Sequence, residues 1–266
     1  LPSLFEPISY GDECIYLTLG QAFRQGLVFY RDIHDNKPPL LYLIAALTDG
    51  RLPYFRLITI IWNSINVWLI YKIGKKILKS EKAGLLAAFL FSLFSFLPEG
   101  RIANGEMFMI MPASLAVFIG LQALKKEKNV LWFLTGLMFS FAFLFKIPVI
   151  FDFAGFILAF FVFPKKKVKN ILLILKDKKL YLTLIGFFLP ILLSIVYYAQ
   201  KGAFTPYVRS ALLQNIGYLS SWKGNNIGLY QRTVIVFLAT VFFFSWRKQL
   251  GFSFYLFSLM TLFGLY

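Results

Sequence analysis

The sequence predicts an all-α, polytopic transmembrane helical bundle with one further helix lying in the outer membrane interface. Three observations predict it. The 266 residues are 59% hydrophobic and 19% aromatic, with a mean hydropathy of +0.70, more apolar surface than a water-soluble domain would carry. The apolar residues fall into long stretches that do not alternate with period two, which favours helical spans over a barrel. The net charge of +16 is concentrated in alternate loops, as in a membrane protein with a fixed orientation. The chain reads as a single domain over 1–266, with an outer-face segment at 1–50 and about eight spans over 52–266.

Residues 1–10 are too few to cross a bilayer. The chain starts at Leu1 without Met and ends inside an apolar stretch. The expectation is a fragment that lacks a first transmembrane helix and some C-terminal sequence. Ile15, Leu19, Ala22 and Phe23 recur at helical spacing, with Gln21, Arg24 and Gln25 opposite. This predicts an amphipathic interfacial helix ending near Gly26. A polar loop follows over 30–36. Pro38-Pro39 opens a helix running from Pro39 to about Leu47, because the first helical turn has no internal partner for its N–H groups. Thr48-Asp49-Gly50-Arg51 then turns the chain into the first full span.

The long apolar stretches cover residues 52–73, 83–97, 107–124, 130–145, 147–163, 180–199, 233–246 and 250–266. Several are shorter than the ~20 residues of an ideal span, so their ends extend into flanking polar residues or meet a thinner bilayer. Residues 168–175, flanked by lysines, predict a short surface helix. Residues 200–232 form the longest connection, with Tyr207, Arg209, Gln214, Tyr218, Trp222 and Asn225 able to stack on and hydrogen-bond a sugar, or to serve as an ordinary aromatic belt.

One set of loops holds Lys72–Lys82, Lys125–Lys128, the lysines of 165–179, and Arg247-Lys248: 17 of the 28 basic residues against 3 of the 12 acids. The positive-inside rule makes these loops cytoplasmic. The positive charge is therefore a topology signal and a contact for anionic head groups, and a nucleic-acid partner is rejected. Most acids lie on or near the outer side, including Asp12, Glu13, Asp32, Asp35, Glu99 and Glu106. Chemistry is expected there. The single cysteine, Cys14, excludes an internal disulfide and a cysteine metal cage, and reads as a small buried thiol.

Acidic side chains at a membrane surface cost solvation free energy unless they pair, bind or react. Asp12-Glu13 precede the interfacial helix, where acids also serve as N-terminal caps. Lys37 stands before two prolines that limit backbone freedom, so its side chain is held at a defined place, or it snorkels as an anchor. His34 is the only histidine. With Asp35 and Asp32 it makes a poor metal set by ligand count, and a loop hydrogen-bond network touching an acceptor is expected instead. Glu106 follows Arg101 on a short outer loop and either binds substrate or pairs with that arginine. Lys146 and Asp152 flank Pro148 at an outer turn, where a lysine needs a head group, a partner or a polar cavity.

The Asp12-Glu13 pair and the run YRDIHDNKPPLLYL from Tyr30 to Leu43, with RIANGEMFMIMP from Arg101 to Pro112, resemble the membrane glycosyltransferases that take sugar from a polyprenyl phosphate. These include the protein O-mannosyltransferases and the aminoarabinose transferases of lipid A. The resemblance covers about 1–163 and implies the C-type glycosyltransferase architecture. It implies Asp12 as catalytic base, Glu13 as a supporting carboxylate, and Lys37 and Lys146 on the carrier phosphate. Tyr16, His34, Asp35, Arg101 and Glu106 are the expected substrate contacts. Tyr16 matches the family, where a tyrosine often follows the acidic pair. Ile15 departs from the arginine of the aminoarabinose transferases, which argues against their substrate. The implied reaction is a direct, inverting transfer at the outer face of the cell membrane, with no nucleotide sugar at that step; no cofactor is expected.

The three physical needs of such a transfer agree with this set. A carboxylate takes the proton of the incoming hydroxyl. A cation stabilises the phosphate as it leaves. A helical bundle supplies a greasy groove for the lipid tail. The expected partners are the polyprenyl-phosphate sugar, a protein, lipid or polysaccharide acceptor, and membrane lipids. A transporter or lipid flippase is the non-enzymatic alternative, but it would show polar or broken segments near midspan, often in two halves. A polysaccharide polymerase or ligase using a diphosphate-linked donor would want more outer arginines.

This topology predicts a labelling pattern. In sealed right-side-out cells, Lys126→Cys and Lys167→Cys should be shielded from an impermeant thiol reagent and Asn225→Cys should react. The reverse pattern would invert the orientation.

Overall fold

The computed structural model describes residues 4, 11–95, 100, 102–162 and 176–214. Helix α1 spans Gly11–Arg24 and α2 spans Leu40–Leu47. The bundle follows as α3 (Leu52–Leu78), α4 (Glu81–Phe94), α5 (Gly105–Lys126), α6 (Asn129–Phe145), α7 (Val149–Ile157) and α8 (Lys178–Gln200). A π-helical turn, Leu158–Val162, extends α7. The short α9, Phe204–Tyr207, runs into a second π-helical turn, Val208–Leu213. Among the described residues there is no strand, and a lone bridge joins Phe29 to Ile33. The all-α polytopic prediction therefore holds. Arg101, the surface helix expected over 168–175, the connection beyond 214 and the last two expected spans lie outside the described residues.

Helices α3, α5 and α8 are long and apolar enough to cross a membrane, while α6 and the extended α7 are shorter apolar helices. At 27 residues, α3 is ~40 Å long, more than the ~30 Å of a hydrocarbon core. Its surplus carries Lys75 and Lys76 beyond the apolar part. Lys79 ends α3 with φ 52°, and the Ser80 hydroxyl caps α4 by accepting from the Ala83 N–H at 3.3 Å.

Bilayer lipid offers no hydrophobic drive between helices, so small residues and hydrogen bonds decide which helices touch. Gly136 of α6 and Gly186 of α8 face one another. A Cβ on Gly136 would collide with the Thr183 carbonyl oxygen, and one on Gly186 with that of Phe133. Gly84 of α4 does the same against the Tyr71 carbonyl of α3, at 2.7 Å. Aromatic rings fill the space beside these crossings. Phe153 of α7 stacks on Phe187 of α8 with centroids 4.0 Å apart, and the Trp132 ring of α6 is buried against Phe161.

Pro112 lies inside α5 and has no N–H to give to the carbonyl four residues earlier. That carbonyl, Phe108 O, accepts instead from the Trp62 indole of α3 at 3.0 Å. The vacancy in one helix becomes a bond to its neighbour.

Helix α1 lies on α2. Its buried residues are Glu13, Tyr16, Leu17 and Gly20, while of the expected apolar stripe Leu19 and Phe23 are partly buried against the same cluster. Gly20 sets this register, because a Cβ there would meet Ala46 N of α2 at 2.6 Å. Ile15 is left 44% exposed on another flank. Cys14, expected as a buried thiol, is also exposed, because it follows Glu13 and points off the packed face.

The glycine crossing of α6 and α8 is testable. Gly186→Ala should lower stability by about 1–3 kcal/mol through overpacking. Gly11→Ala, where an added Cβ meets nothing within 4 Å, should stay within about 0.5 kcal/mol of the parent. Denaturation midpoints in detergent, followed by circular dichroism, report both. Equal midpoints would show that α6 and α8 are not locked at this contact.

Candidate functional site

Glu13 is fully buried, an expensive place for a charge unless every lone pair is met. Arg56 of α3 meets it with a two-pronged contact, Nε to Oε1 at 3.1 Å and Nη2 to Oε2 at 2.6 Å. The Ala103 N–H donates to Oε1 at 3.1 Å. One carboxylate thus ties α1, α3 and the segment before α5 together. Immediately after that segment, Asn104 caps α5, its side-chain oxygen accepting from the Met107 N–H at 3.0 Å. Glu13 is closed to substrate, so its contribution is to hold its neighbours.

Asp12, one residue earlier, faces the other way and is partly exposed. Its Oδ2 accepts from the Tyr16 hydroxyl at 2.7 Å and from the Lys37 ammonium at 3.4 Å. Oδ1 has no protein hydrogen bond among the described residues. The Lys37 ammonium also lies 4.9 Å from the centre of the Tyr16 ring. Tyr16 is itself fully buried. Burial, and then the hydrogen bond to Asp12, push its phenol well above the usual range, so it stays a donor at ordinary pH. Tyr16 is closed off by burial and reaches the site edge through its hydrogen bond to Asp12.

The loop carrying Lys37 is fixed from below. Tyr30 takes φ 69°, rare for a bulky residue, at a cost of about 1 kcal/mol or more. Its ring is wedged 5.1 Å from that of Tyr198 on α8 and 5.0 Å from that of Tyr207 on α9. From there its hydroxyl donates to Lys37 O at 2.7 Å. Asp35 accepts from the Tyr42 hydroxyl of α2 at 2.7 Å and from the Asn36 N–H at 2.7 Å. Asp32 is held by Arg31 and by the Val28 N–H, which keep its carboxyl at about 2. The Arg31 guanidinium also donates to Lys201 O at the end of α8, at 2.9 Å.

His34 parts company with Asp32 and Asp35. Its Nδ1 lies 3.3 Å from the Ser210 hydroxyl. Both residues line a cavity of about 750 Å³ together with Thr205, Arg209 and Gln214. Among the described residues no group of three or more His, Cys, Asp or Glu is placed to hold a metal ion. Lys146 pairs with Glu106 across the start of α5, not with Asp152. Its stem lies against Gly105. The structure therefore brings Asp12, Tyr16 and Lys37 together, joins Glu106 to Lys146, and sets His34 with Ser210 in a separate cavity.

Sequence reasoning passed over Arg56, Tyr30 and Tyr198. An arginine early in an apolar run was the one available signal, since a charge there needs a partner.

No curated protein and no solved structure matches the chain. A family model, dolichyl-phosphate-mannose-protein mannosyltransferase, matches residues 37–198. That region starts at Lys37 and runs through α8, more than half of the chain. The match also decides between the enzyme and transporter readings. The chain belongs to the dolichyl-phosphate-mannose-protein mannosyltransferase family, membrane glycosyltransferases that draw their sugar from a polyprenyl phosphate.

Proposed function

We propose that this chain transfers a sugar from a polyprenyl-phosphate sugar to an acceptor hydroxyl on the outer face of the cell membrane, with inversion at the anomeric carbon. The observation that carries the reading is the contact of the Asp12 carboxylate with the Lys37 ammonium at 3.4 Å, at a half-buried edge of the bundle. A proton acceptor and a phosphate-binding cation are the two charged groups this reaction needs, and here they are neighbours.

The acceptor hydroxyl attacks the anomeric carbon and gives its proton to Asp12. The bond from that carbon to the phosphate oxygen breaks, and the phosphate leaves with the electron pair. Lys37 stabilises the negative charge that grows on it. Before donor arrives, Lys37 shares its charge with Asp12. A phosphate at Lys37 competes for the ammonium and loosens its hold on the carboxylate. Donor binding thereby frees Asp12 as a base, and Tyr16 keeps it oriented meanwhile. Lys146 is a second cation for the phosphate, delivered beside Glu106. The cavity at His34, Arg209 and Ser210 offers room and polar groups for the acceptor. The family description favours a protein hydroxyl over a lipid or polysaccharide.

The outward orientation is supported by the separation of charges along α3. Arg56 anchors the site end, and Lys76 lies 20 residues on, ~30 Å away at 1.5 Å per residue. That is one hydrocarbon thickness, with the lysine-rich end placed inward by the positive-inside rule.

The base is tested by Asp12→Asn, which keeps size but cannot take the proton. Turnover should fall on the order of 10²-fold or more, with expression and donor binding nearly intact. Full activity would return Asp12 to helix capping.

The cation is tested separately with Lys37→Met and Lys37→Arg, in steady-state transfer against donor concentration. Methionine should lose kcat as well as donor affinity, because phosphate contacts strengthen as the bond to the sugar breaks. Arginine keeps charge with altered geometry and should be partly active. If Lys37→Met matches the parent in both parameters, Lys37 is only an interfacial anchor.

A further inference from the structure

The opposite end of the bundle holds a charge that no described residue neutralises. The Lys76 ammonium is closed to solvent and has no hydrogen-bond partner among the described residues. It lies 5.9 Å from the centre of the Phe118 ring of α5. Lys125 and Lys126, at the end of α5, are close enough to repel it. Glu81, the acid at the start of α4, is taken by Lys75 at 3.0 Å and by the Tyr71 hydroxyl at 2.7 Å. An enclosed ammonium beside two like charges is unfavourable unless an anion enters.

The surface leading to this point is apolar. On α3, Ile61, Ile65 and Trp68 are exposed and lie on one stripe at helical spacing. The same stripe continues into Lys72, which sits 5.4 Å from the Trp68 ring, and then into Lys76. The Trp68 ring also faces Phe118 at 6.3 Å. An acyl chain along this stripe would bring a head group to the lysines. Free phosphate would have no use for it.

We propose that Lys76, Lys125 and Lys126 bind the phosphate of an anionic phospholipid, whose tail lies along Ile61, Ile65 and Trp68. The site is separate from the transfer site and closes the lysine-rich end of α3 against α5. Bound lipid would stabilise the bundle by cancelling a repulsion within it.

The test uses the full chain purified in a zwitterionic detergent. Phosphatidylglycerol, phosphatidylcholine and inorganic phosphate are added in turn. Native mass spectrometry counts bound lipid, and thermal midpoints are followed in parallel. Phosphatidylglycerol should bind and raise the midpoint, and phosphatidylcholine should do neither. Lys76→Gln should weaken phosphatidylglycerol binding roughly five-fold, while Lys79→Gln, at the exposed end of α3, should change it little. Without lipid, Lys76→Gln should melt no lower than the parent, because it removes an unpaired charge. The proposal is overturned if Lys76→Gln retains phosphatidylglycerol equally, or if phosphatidylcholine binds as well. It also fails if lipid-free Lys76→Gln melts well below the parent, which would make Lys76 a packing residue. Equal stabilisation by inorganic phosphate would reject the lipid as the ligand.

Discussion

The buried pair of Glu13 and Arg56 is the constraint on which the site end depends. Removing one partner of such a pair leaves an uncompensated charge and typically costs about 3–5 kcal/mol. Removing Glu13 would also release the N–H of Ala103, which donates to the same carboxylate. Three parts of the chain far apart in sequence are brought to one carboxylate. Asp12 takes its direction from that anchor, because adjacent residues on a helix point about 100° apart. Once Glu13 is drawn inward, Asp12 faces the edge of the bundle. The acidic pair is thus two residues with different tasks, separated by helix geometry rather than by chemistry.

Lys37 is positioned by a different means. Its backbone is held through Tyr30, whose ring is clamped by tyrosines of α8 and α9. Asp12 and Lys37 therefore answer to different helices, and the two supports meet at the 3.4 Å contact between them. That contact is long for an ion pair and partly open to solvent, so it holds the two groups only lightly. The same carboxylate oxygen also accepts from the Tyr16 hydroxyl, which holds it in place.

Much of the fold was legible in the sequence. The apolar stretches beginning near residues 52, 107, 130 and 180 become helices whose ends differ from expectation by a few residues, because lysine, proline and asparagine punctuate them. Pro39 precedes α2 as helix-opening chemistry requires. The face of α1 was not legible. Ile15 and Leu19 belong to its apolar stripe, yet a glycine and a buried glutamate decide its closest packing, because closeness to α2 matters more there than greasiness. The neighbourhood of Asp12 and Lys37 could be anticipated from family resemblance alone. Arg56 could not be paired from sequence, since 43 residues separate it from Glu13. Nor does spacing reveal that Glu106 selects Lys146 while Asp152 stays apart.

The proline in α5 carries a consequence beyond local geometry. A membrane helix normally keeps its backbone polarity to itself, since lipid offers nothing to bond with. Pro112 breaks that self-sufficiency at one carbonyl, and Trp62 of α3 receives the surplus. An acceptor is exported sideways without any polar side chain being added to α5. The bond has a fixed height on both helices, so it works as a depth gauge: α3 cannot slide along α5 without stranding a carbonyl in hydrocarbon. Since α3 carries Arg56 and α5 begins just beyond Ala103, the same gauge holds level the two elements that share Glu13.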